Sequence, residues 1–458
     1  MPMRALYVPR LPRGRWNPAQ CRARCHALKS LIAKIEPEER RILALAFACN
    51  FMLLGSYYIL RPVRDAMSTV LGVQQLPNVY LGTLILTLIA SPAFAWLTDT
   101  FKVARVLPAV FAFLIVNLLG FYGWVQAGPV NQGLAVTFYW WFSVVNLFMI
   151  SVFFSLMVDT FTAAQASRLL PTIAAGGSLG AVAGPALARV FATRIGVGGL
   201  LLMAAAGIAV VIVLVLALIR EKRRLLVVHA ETQASTLEHP LGGTLFDGFR
   251  VTFSSSYHVN QALFIMLMTW IATVGYFLQT EMIARAFAGL AERTQALADI
   301  DMVVNLCSAI VAMFGVSRFI ERFGVTGGLV VNPVLMVISF VLMALSPTLL
   351  MLQAMQALRR VSQYAIARPC REICFTVVDQ ESRYKAKNFI DTVIYRFGDL
   401  GSAWMQKGME VLGFGTYATF GLGIVFSGLW AVNAFSLGRQ YERRKKEAPG
   451  QAGEAHFT

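Results

Sequence analysis

Twelve apolar segments of about 20 residues recur along this 458-residue chain, and they constrain its fold more than any other feature. A helix of that length crosses the hydrocarbon core of a bilayer. The composition agrees, because the chain is 57% hydrophobic and only 14% charged, whereas soluble globular proteins are about 25% charged. The sequence therefore predicts an all-α membrane protein with twelve transmembrane helices. The predicted spans are 41–66, 76–97, 104–127, 134–158, 170–193, 196–219, 260–287, 297–319, 326–346, 348–375, 385–410 and 414–436.

Basic residues are concentrated on one side of these predicted spans. Residues 1–41 carry ten Lys/Arg against three acids, and further basic clusters follow the sixth and the twelfth span. Two loops on the opposite side, 127–133 and 345–348, have no charged residue. By the positive-inside rule, both termini and the central loop are cytoplasmic. The net charge of +16 is then mainly a topology signal, and we expect no nucleic acid partner.

The two halves of the chain resemble each other at an offset of about 220 residues. Four landmarks recur at this spacing: GSYYIL (55–60) with VGYFLQ (274–279), Asp99 with Glu321, FSLMVD (154–159) with CFTVVD (374–379), and GGSLGA (176–181) with GDLGSA (398–403). Two six-helix units related as parallel repeats and joined by a long cytoplasmic linker describe the major facilitator fold. In that fold a substrate binds near the midplane between the halves, which rock against each other.

The repeat divides the chain into five parts. We expect a basic cytoplasmic N-terminal tail at 1–40, a six-helix bundle at 41–219, a cytoplasmic linker at 220–259, a second six-helix bundle at 260–436 and a basic cytoplasmic tail at 437–458.

Two short patterns indicate residues that gate or couple movement. Asp99, followed by Lys102 and Arg105, resembles a degenerate form of the acid-plus-basic loop motif of the major facilitator superfamily. We expect Asp99 and its repeat partner Glu321 to act in gating, because cations and helix termini near such an acid can hold one conformation closed. The segment GAVAGP (180–185) resembles the glycine-proline motif of exchangers, and its small residues fit close helix packing equally well.

The first predicted span carries charges on one stripe. Tyr57, Arg61 and Asp65 are one helical turn apart, and Arg64 is adjacent to them. We expect these residues to face a substrate cavity, with Asp65 a candidate for proton coupling. The alternative is that the helix has ended and that Arg61 marks the outer surface.

The tenth span carries an i, i+4 ladder of polar residues with Arg371 beside it: Gln356, Arg360, Tyr364, Arg368 and Glu372. We expect Arg368 to pair with Glu372, whereas Arg360 and Arg371 have no acid in the ladder. An arginine at membrane depth is costly, and its guanidinium matches a phosphate or carboxylate bidentately. These arginines are therefore candidate substrate ligands. The alternative is a structural charge cluster at the inner end of the helix.

The eleventh span begins with Lys385 and Lys387, which we expect at the cytoplasmic mouth. Lys387 and Asp391 are expected to pair at i, i+4, and Arg396 and Asp399 at i, i+3. Asp391 and Asp399 lie deeper, and Asp399 is a second candidate for proton coupling. Over the three charged spans, basic residues outnumber acids, which predicts an anionic substrate.

At these residues the sequence resembles the ATP/ADP translocase family of nucleotide transporters. LRPVRD (60–65) is similar to a Leu-Arg-Gly-Leu-Lys-Asp-type segment, and Arg64 falls on its substrate-linked lysine. YKAKNFIDTV (384–393) resembles a second motif, in which Lys387 falls on a functionally important lysine. SQYAIARPCRE (362–372) resembles a third, with four identities: Tyr364, Pro369, Cys370 and Glu372.

Three departures bear on what this resemblance implies. Asn146 stands where the family carries a glutamate, and Gln363 and Arg368 replace a lysine and an aspartate. The resemblance therefore implies transport of a nucleotide or of another phosphorylated or carboxylated anion, rather than strict ATP/ADP exchange. It also implies a free-living bacterial relative. We expect the chain to act as a monomer in the lipid bilayer of the inner membrane, with a small, nucleotide-like anionic solute as its partner.

Two other functions keep the same fold. One is a proton-coupled carrier or exporter of organic acids, siderophores or drugs. The other is a membrane accessory or sensor protein that does not transport, although neither the linker nor the tail is long enough for a sizeable effector domain.

Catalytic motifs are missing from the sequence. It contains no GxSxG elbow, HExxH or P-loop, and none of the five histidines lies in a predicted span. Cys370 and Cys374 are one turn apart without a nearby histidine. We therefore expect no enzyme activity, no metal site and no cofactor.

Overall fold

The computed structural model describes residues 39–100, 103–228 and 245–447, and within these ranges the chain is helical without a strand. The first bundle contains α1 (Glu39–Leu71), α2 (Leu76–Thr100), α3 (Val103–Ala127), α4 (Gln132–Thr160), α5 (163–195) and α6 (197–228). Helices α5 and α6 meet at Gly196, whose φ of 67° lies in the left-handed region that favours glycine.

A short helix of the linker, Leu245–Ser254, precedes the second bundle. That bundle contains α7 (Ser256–Ala286), α8 (Leu290–Phe314, continued over 316–323), α9 (325–345), α10 (349–374), α11 (380–411) and α12 (Thr416–Glu447). Gly324, with a φ of 68°, separates α8 from α9. The twelve helices form the two six-helix bundles that the repeat predicts.

Helices α10 and α11 are not regular. A π-helical segment, Ser362–Ala367, interrupts α10, and a second, Ile390–Ile394, interrupts α11. A π-turn closes hydrogen bonds five residues apart and fits one extra residue into the turn, which rotates everything beyond it. The two interruptions fall in the charged stretch that the sequence singles out, and π-turns are frequent at functional sites.

Eight helical stretches of the described chain are long and apolar enough to cross a membrane. One of them, Arg168–Arg224, contains both α5 and α6, and the spans outside the eight are α4 and the charged, interrupted α10 and α11. Helix α12 continues to Glu447, whereas the sequence predicts that the tail begins at 437. The basic residues there extend the helix because Lys and Arg are good helix formers.

Glycines of α5 bring its backbone against α1. A Cβ on Gly184 would lie 2.8 Å from the Cβ of Tyr58, and one on Gly180 would collide with the carbonyl of Phe51. Gly177 and these two glycines follow an i, i+3, i+7 pattern and therefore share one face of α5. This contact gives the glycine motif a packing role.

We expect Gly180→Leu to lower the thermal unfolding temperature of the purified protein markedly, because the side chain has to force α5 away from α1. Overpacking of this kind costs about 1–3 kcal/mol or more. The matched control is Gly428→Leu in α12, where no atom lies within 4 Å of an added Cβ. Equal unfolding temperatures for the two variants would contradict the close contact.

The two bundles meet in the outer half of the molecule, which the charge asymmetry assigns to the side opposite the cytoplasm. Buried Ala66 of α1 packs there with apolar residues of α7 and α8, including Ile283, Leu297 and Val304.

Three polar pairs join the bundles at the same end: Arg293 donates to Thr69 (2.9 Å), Gln74 donates to Glu410 (3.0 Å), and Arg189 pairs with Asp299 (2.6 Å). We call these contacts the outer closure.

Candidate functional site

A cavity of about 820 Å³ lies between the bundles on the cytoplasmic side of the outer closure. Its walls come from eight helices: α1, α2, α4, α5, α7, α8, α10 and α11. Lining residues extend from Tyr276 near the closure to Phe153, Ala174 and Ala312 in the cytoplasmic halves of their helices. The structure is therefore inward-facing, and the cavity has the size of a small-molecule binding site, about 300–1,000 Å³.

Positive charge dominates the lining. Asp399 is the one carboxylate among the described lining residues, against six arginines: Arg61, Arg64, Arg359, Arg360, Arg368 and Arg396. Two further carboxylates, Asp65 and Asp301, reach the arginines from positions behind the lining. Counting these, six positive charges face three negative ones, so the site carries a net positive charge.

Asp301 of α8 holds two of the arginines. It accepts a hydrogen bond from Nη1 of Arg360 on α10, and its other oxygen lies 3.6 Å from Nε of Arg61 on α1. Asp301 is 2% exposed. The ten residues from Arg61 to the end of α1 correspond to about 15 Å of helix, which places this cluster near the middle of the bilayer.

A second cluster lies on α1, nearer the outer closure. Asp65 accepts a hydrogen bond of 2.8 Å from Nε of Arg64 and one of 3.2 Å from the hydroxyl of Tyr276 on α7. The Arg64 guanidinium also stands over the rings of Tyr139 (5.2 Å) and Phe142 (5.4 Å). Carboxylate and aromatic faces together compensate this charge.

Arg359 differs from its neighbours because it forms no ion pair with any described carboxylate. Its side chain donates to the amide oxygens of Gln356 (3.0 Å) and Gln363 (3.3 Å). The residue is only 8% exposed and faces the cavity. A buried guanidinium held by neutral amides is a strong candidate ligand for an anion, because a phosphate or carboxylate would supply the missing charge.

Tyrosines form much of the remaining wall. Seven of the 13 tyrosines of the chain line the cavity: Tyr57, Tyr58, Tyr80, Tyr139, Tyr276, Tyr364 and Tyr395. Tyr57 stacks on Phe142 at 5.0 Å between ring centroids. Such side chains offer both a flat apolar face and a hydroxyl to a ligand.

Asp399 of α11 has weaker charge compensation than the other two carboxylates. Its Oδ1 accepts a hydrogen bond of 3.1 Å from the hydroxyl of Thr273, and its nearest cation, Nη1 of Arg396, is 4.0 Å away. An incompletely paired carboxylate inside a cavity is a suitable group to carry a proton.

The structure brings eight of the sequence-predicted site residues to the cavity lining: Tyr57, Arg61, Arg64, Asn146, Arg360, Tyr364, Arg368 and Asp399. Arg61 lies in the lining rather than on the outer surface, and Arg360 is paired, because Asp301 approaches it from another helix. Asp65 lies behind the lining.

Five other predicted residues lie outside this lining, at the cytoplasmic end of α10 and α11. Arg371 pairs with Asp391 (2.9 Å) and with Glu372 (3.1 Å), and Lys387 pairs with Glu372. Lys385 is half-buried in the same part of α11. The expected pairs Arg368–Glu372 and Lys387–Asp391 are wrong, because Glu372 pairs with Arg371 and Lys387 instead, and Asp391 pairs with Arg371 of the neighbouring helix. These charges form a paired cluster outside the cavity lining.

Of the two expected gating acids, Glu321 does not line the cavity and is exposed at the cytoplasmic end of α8. The side chain of Asp99 and the whole of Lys102 lie outside the described residues.

Sequence reasoning missed Arg359 and Asp301. Arg359 lies beside the i, i+4 ladder rather than on it, so the ladder gives no signal for this residue. Asp301 carried a usable signal, since it is an acid inside the predicted span 297–319, and acids within spans are costly unless paired.

Comparisons place the fold among solved transporters. The nucleoside transporter NupG is 16% identical, with a TM-score of 0.58 over 89% of this chain and all of that one. A bacterial homologue of the iron transporter ferroportin, in an inward-facing state, is 13% identical, with a TM-score of 0.60 over 85% of this chain and 98% of that one. A POT family transporter in complex with 5-aminolevulinic acid is 14% identical, with a TM-score of 0.57 over 88% and 96%.

No protein-family model and no curated protein matches the sequence. The similar structures carry chemically different cargoes, so their likeness to this chain concerns architecture alone. Together with the twelve helices and the cavity between two bundles, they show that this chain is a multi-pass membrane protein with the major facilitator fold.

Proposed function

We propose that the protein is a secondary active transporter that moves an anionic metabolite across the bacterial inner membrane by alternating access. A nucleotide or a related phosphorylated compound is the proposed cargo, carried by exchange or together with protons. The fold supports transport in general, and the cavity chemistry supports an anion.

Arg359 is the residue that best supports an anionic cargo. Arg61, Arg64 and Arg360 have carboxylate partners, whereas Arg359 is buried with amide oxygens alone. A permanent positive charge at this depth is costly unless a ligand compensates it. Guanidinium groups bind phosphate bidentately, so a phosphoryl group is the ligand that best matches this surplus.

The tyrosines support a cargo with a flat ring. Four of the seven lining tyrosines belong to the first bundle, and four of the six lining arginines belong to the second, so both bundles offer aromatic faces and guanidinium groups to a ligand. A nucleotide could use both, because its base stacks on aromatic side chains and its phosphates bind arginines. The resemblance of α1, α10 and α11 to the ATP/ADP translocase family points to the same cargo.

A second candidate function rests on Asp399. Its pairing with Arg396 at 4.0 Å leaves a carboxylate able to exchange a proton within the cavity. This observation favours a proton-coupled carrier of an organic acid, for which the arginines would bind carboxylates instead of phosphates.

A binding screen on purified wild-type protein separates these proposals. We expect ATP and ADP to raise the unfolding temperature in a concentration-dependent manner, because a ligand at a hundred times its Kd stabilises a protein by about 2.7 kcal/mol. Adenosine, which has the same ring without phosphates, is the matched control and should have little effect. Stabilisation by citrate but not by ATP would favour the organic acid carrier, and equal effects of ATP and adenosine would contradict anion recognition.

A further inference from the structure

The carboxylate of Asp301 lies between two guanidinium groups that belong to different bundles. Arg61 is on α1 of the first bundle, and Arg360 is on α10 of the second. The contact with Arg360 is a hydrogen-bonded ion pair. The contact with Arg61 is looser, since the second oxygen of Asp301 is 3.6 Å from Nε and has no hydrogen-bond partner in the described chain. Asp301 therefore already fills the position that a bridging phosphate or carboxylate would take.

The charges around this position can be counted. Arg61, Arg359 and Arg360 supply three positive charges, and Asp301 removes one, which leaves two. A cargo oxyanion that approaches Arg61 or Arg360 meets the negative charge of Asp301 at the same place. Because like charges in such a site repel each other strongly, cargo and Asp301 compete for the same two arginines.

We propose that Asp301 is an internal counter-ion, which competes with the anionic cargo for Arg61 and Arg360 and allows the carrier to reorient without cargo. This inference rests on the proposed function, since it requires an anion to enter the cavity. It adds a role for one residue that neither the sequence patterns nor the comparisons assign.

Reorientation makes the counter-ion necessary. When the bundles rock, the cavity closes on both sides, and two arginines left without a negative charge in that closed interior would be strongly unfavourable. The cargo compensates Arg61 and Arg360 in one half of the cycle, and in the other half the single charge of Asp301 offsets one of these two positive charges. A carrier that lacks Asp301 can then cross only with cargo bound, so it exchanges cargo but does not return empty.

The test uses radiolabelled ATP with purified protein and with proteoliposomes. In Asp301→Asn and in Asp301→Ser we expect ATP to bind about tenfold to a hundredfold more tightly than in the wild type, in the range of typical coupling between linked sites. Net uptake into liposomes without internal ATP should fall at least about tenfold, whereas exchange against internal ATP should persist. Two variants are measured so that one that fails to fold does not decide the result.

Glu292→Gln is the matched control, because Glu292 is an exposed acid on the same helix, outside the cavity lining. It should leave affinity, net uptake and exchange unchanged. Unchanged or weaker ATP binding in the folded Asp301 variants, or loss of exchange together with net uptake, would overturn the inference alone. If the wild type binds neither ATP nor pyrophosphate, the proposed function fails, and the inference fails with it.

Discussion

Replacing Arg359 by Gln is expected to weaken binding of the anionic cargo severely and to abolish its uptake. The guanidinium of Arg359 is the one buried cation in the described lining that makes no ion pair and is held only by amides. Removing a buried charged partner of a bound anion costs 2–5 kcal/mol, so we expect affinity for ATP to fall roughly a hundredfold or more. Uptake by proteoliposomes at micromolar ATP should become undetectable.

The Arg359→Gln substitution should not lower the unfolding temperature, although it removes transport. Arg359 lies beside Arg360 and close to Arg61, so neutralising it relieves repulsion among buried charges. We therefore expect Arg359→Gln to unfold at the same temperature as the wild type or at a higher one. The control is Arg285→Gln, which removes an exposed arginine that pairs with Glu281 on the surface. Full ATP affinity in Arg359→Gln would contradict the site.

Covalent locking of the outer closure stops transport completely. Gln74, between α1 and α2, and Glu410, at the end of α11, are joined by a hydrogen bond of 3.0 Å. Cysteines at both positions, in a background without the six native cysteines, can be joined by a short bifunctional thiol reagent. Because alternating access has to separate the bundles at this end, the cross-linked carrier should transport no cargo. Cleavage of a reducible linker should restore uptake.

A second cysteine pair provides the control for cross-linking itself. Asn260 of α7 and Ser436 of α12 are 3.1 Å apart, and both belong to the second bundle. A cross-link within one bundle does not restrain the movement of the two bundles relative to each other, so transport should continue. ATP binding should also persist in the protein locked at the outer closure, since its cavity still opens to the cytoplasm. Normal transport after complete cross-linking of 74 to 410 would contradict the rocking mechanism.

The bilayer explains why so much of the fold could be predicted. Every spanning helix has to satisfy its backbone internally and present apolar side chains to lipid, so the length and number of apolar segments determine the topology. The repeat of GSYYIL (55–60) in VGYFLQ (274–279) then fixed the pairing of halves. Regular helical geometry also predicts that Tyr57, Arg61 and Arg64 share one face of α1, and all three line the cavity.

Contacts between helices could not be predicted in the same way. Asp301 pairs with Arg360 across 59 positions of sequence, and no spacing rule connects them. The pairs expected within α10 and within α11 are wrong for the same reason, because Asp391 and Glu372 find their cations, Arg371 and Lys387, on the other helix. The π-helical segments Ser362–Ala367 and Ile390–Ile394 also leave no clear pattern in a single sequence.

Uptake of radiolabelled ATP by proteoliposomes shows whether the protein transports a phosphorylated anion, with protein-free liposomes and Arg359→Gln protein as references. We expect saturable uptake by the wild-type protein that unlabelled ADP inhibits and adenosine does not, and no uptake by either reference. Wild-type uptake no greater than that of protein-free liposomes, or equal uptake by Arg359→Gln, would contradict the proposal.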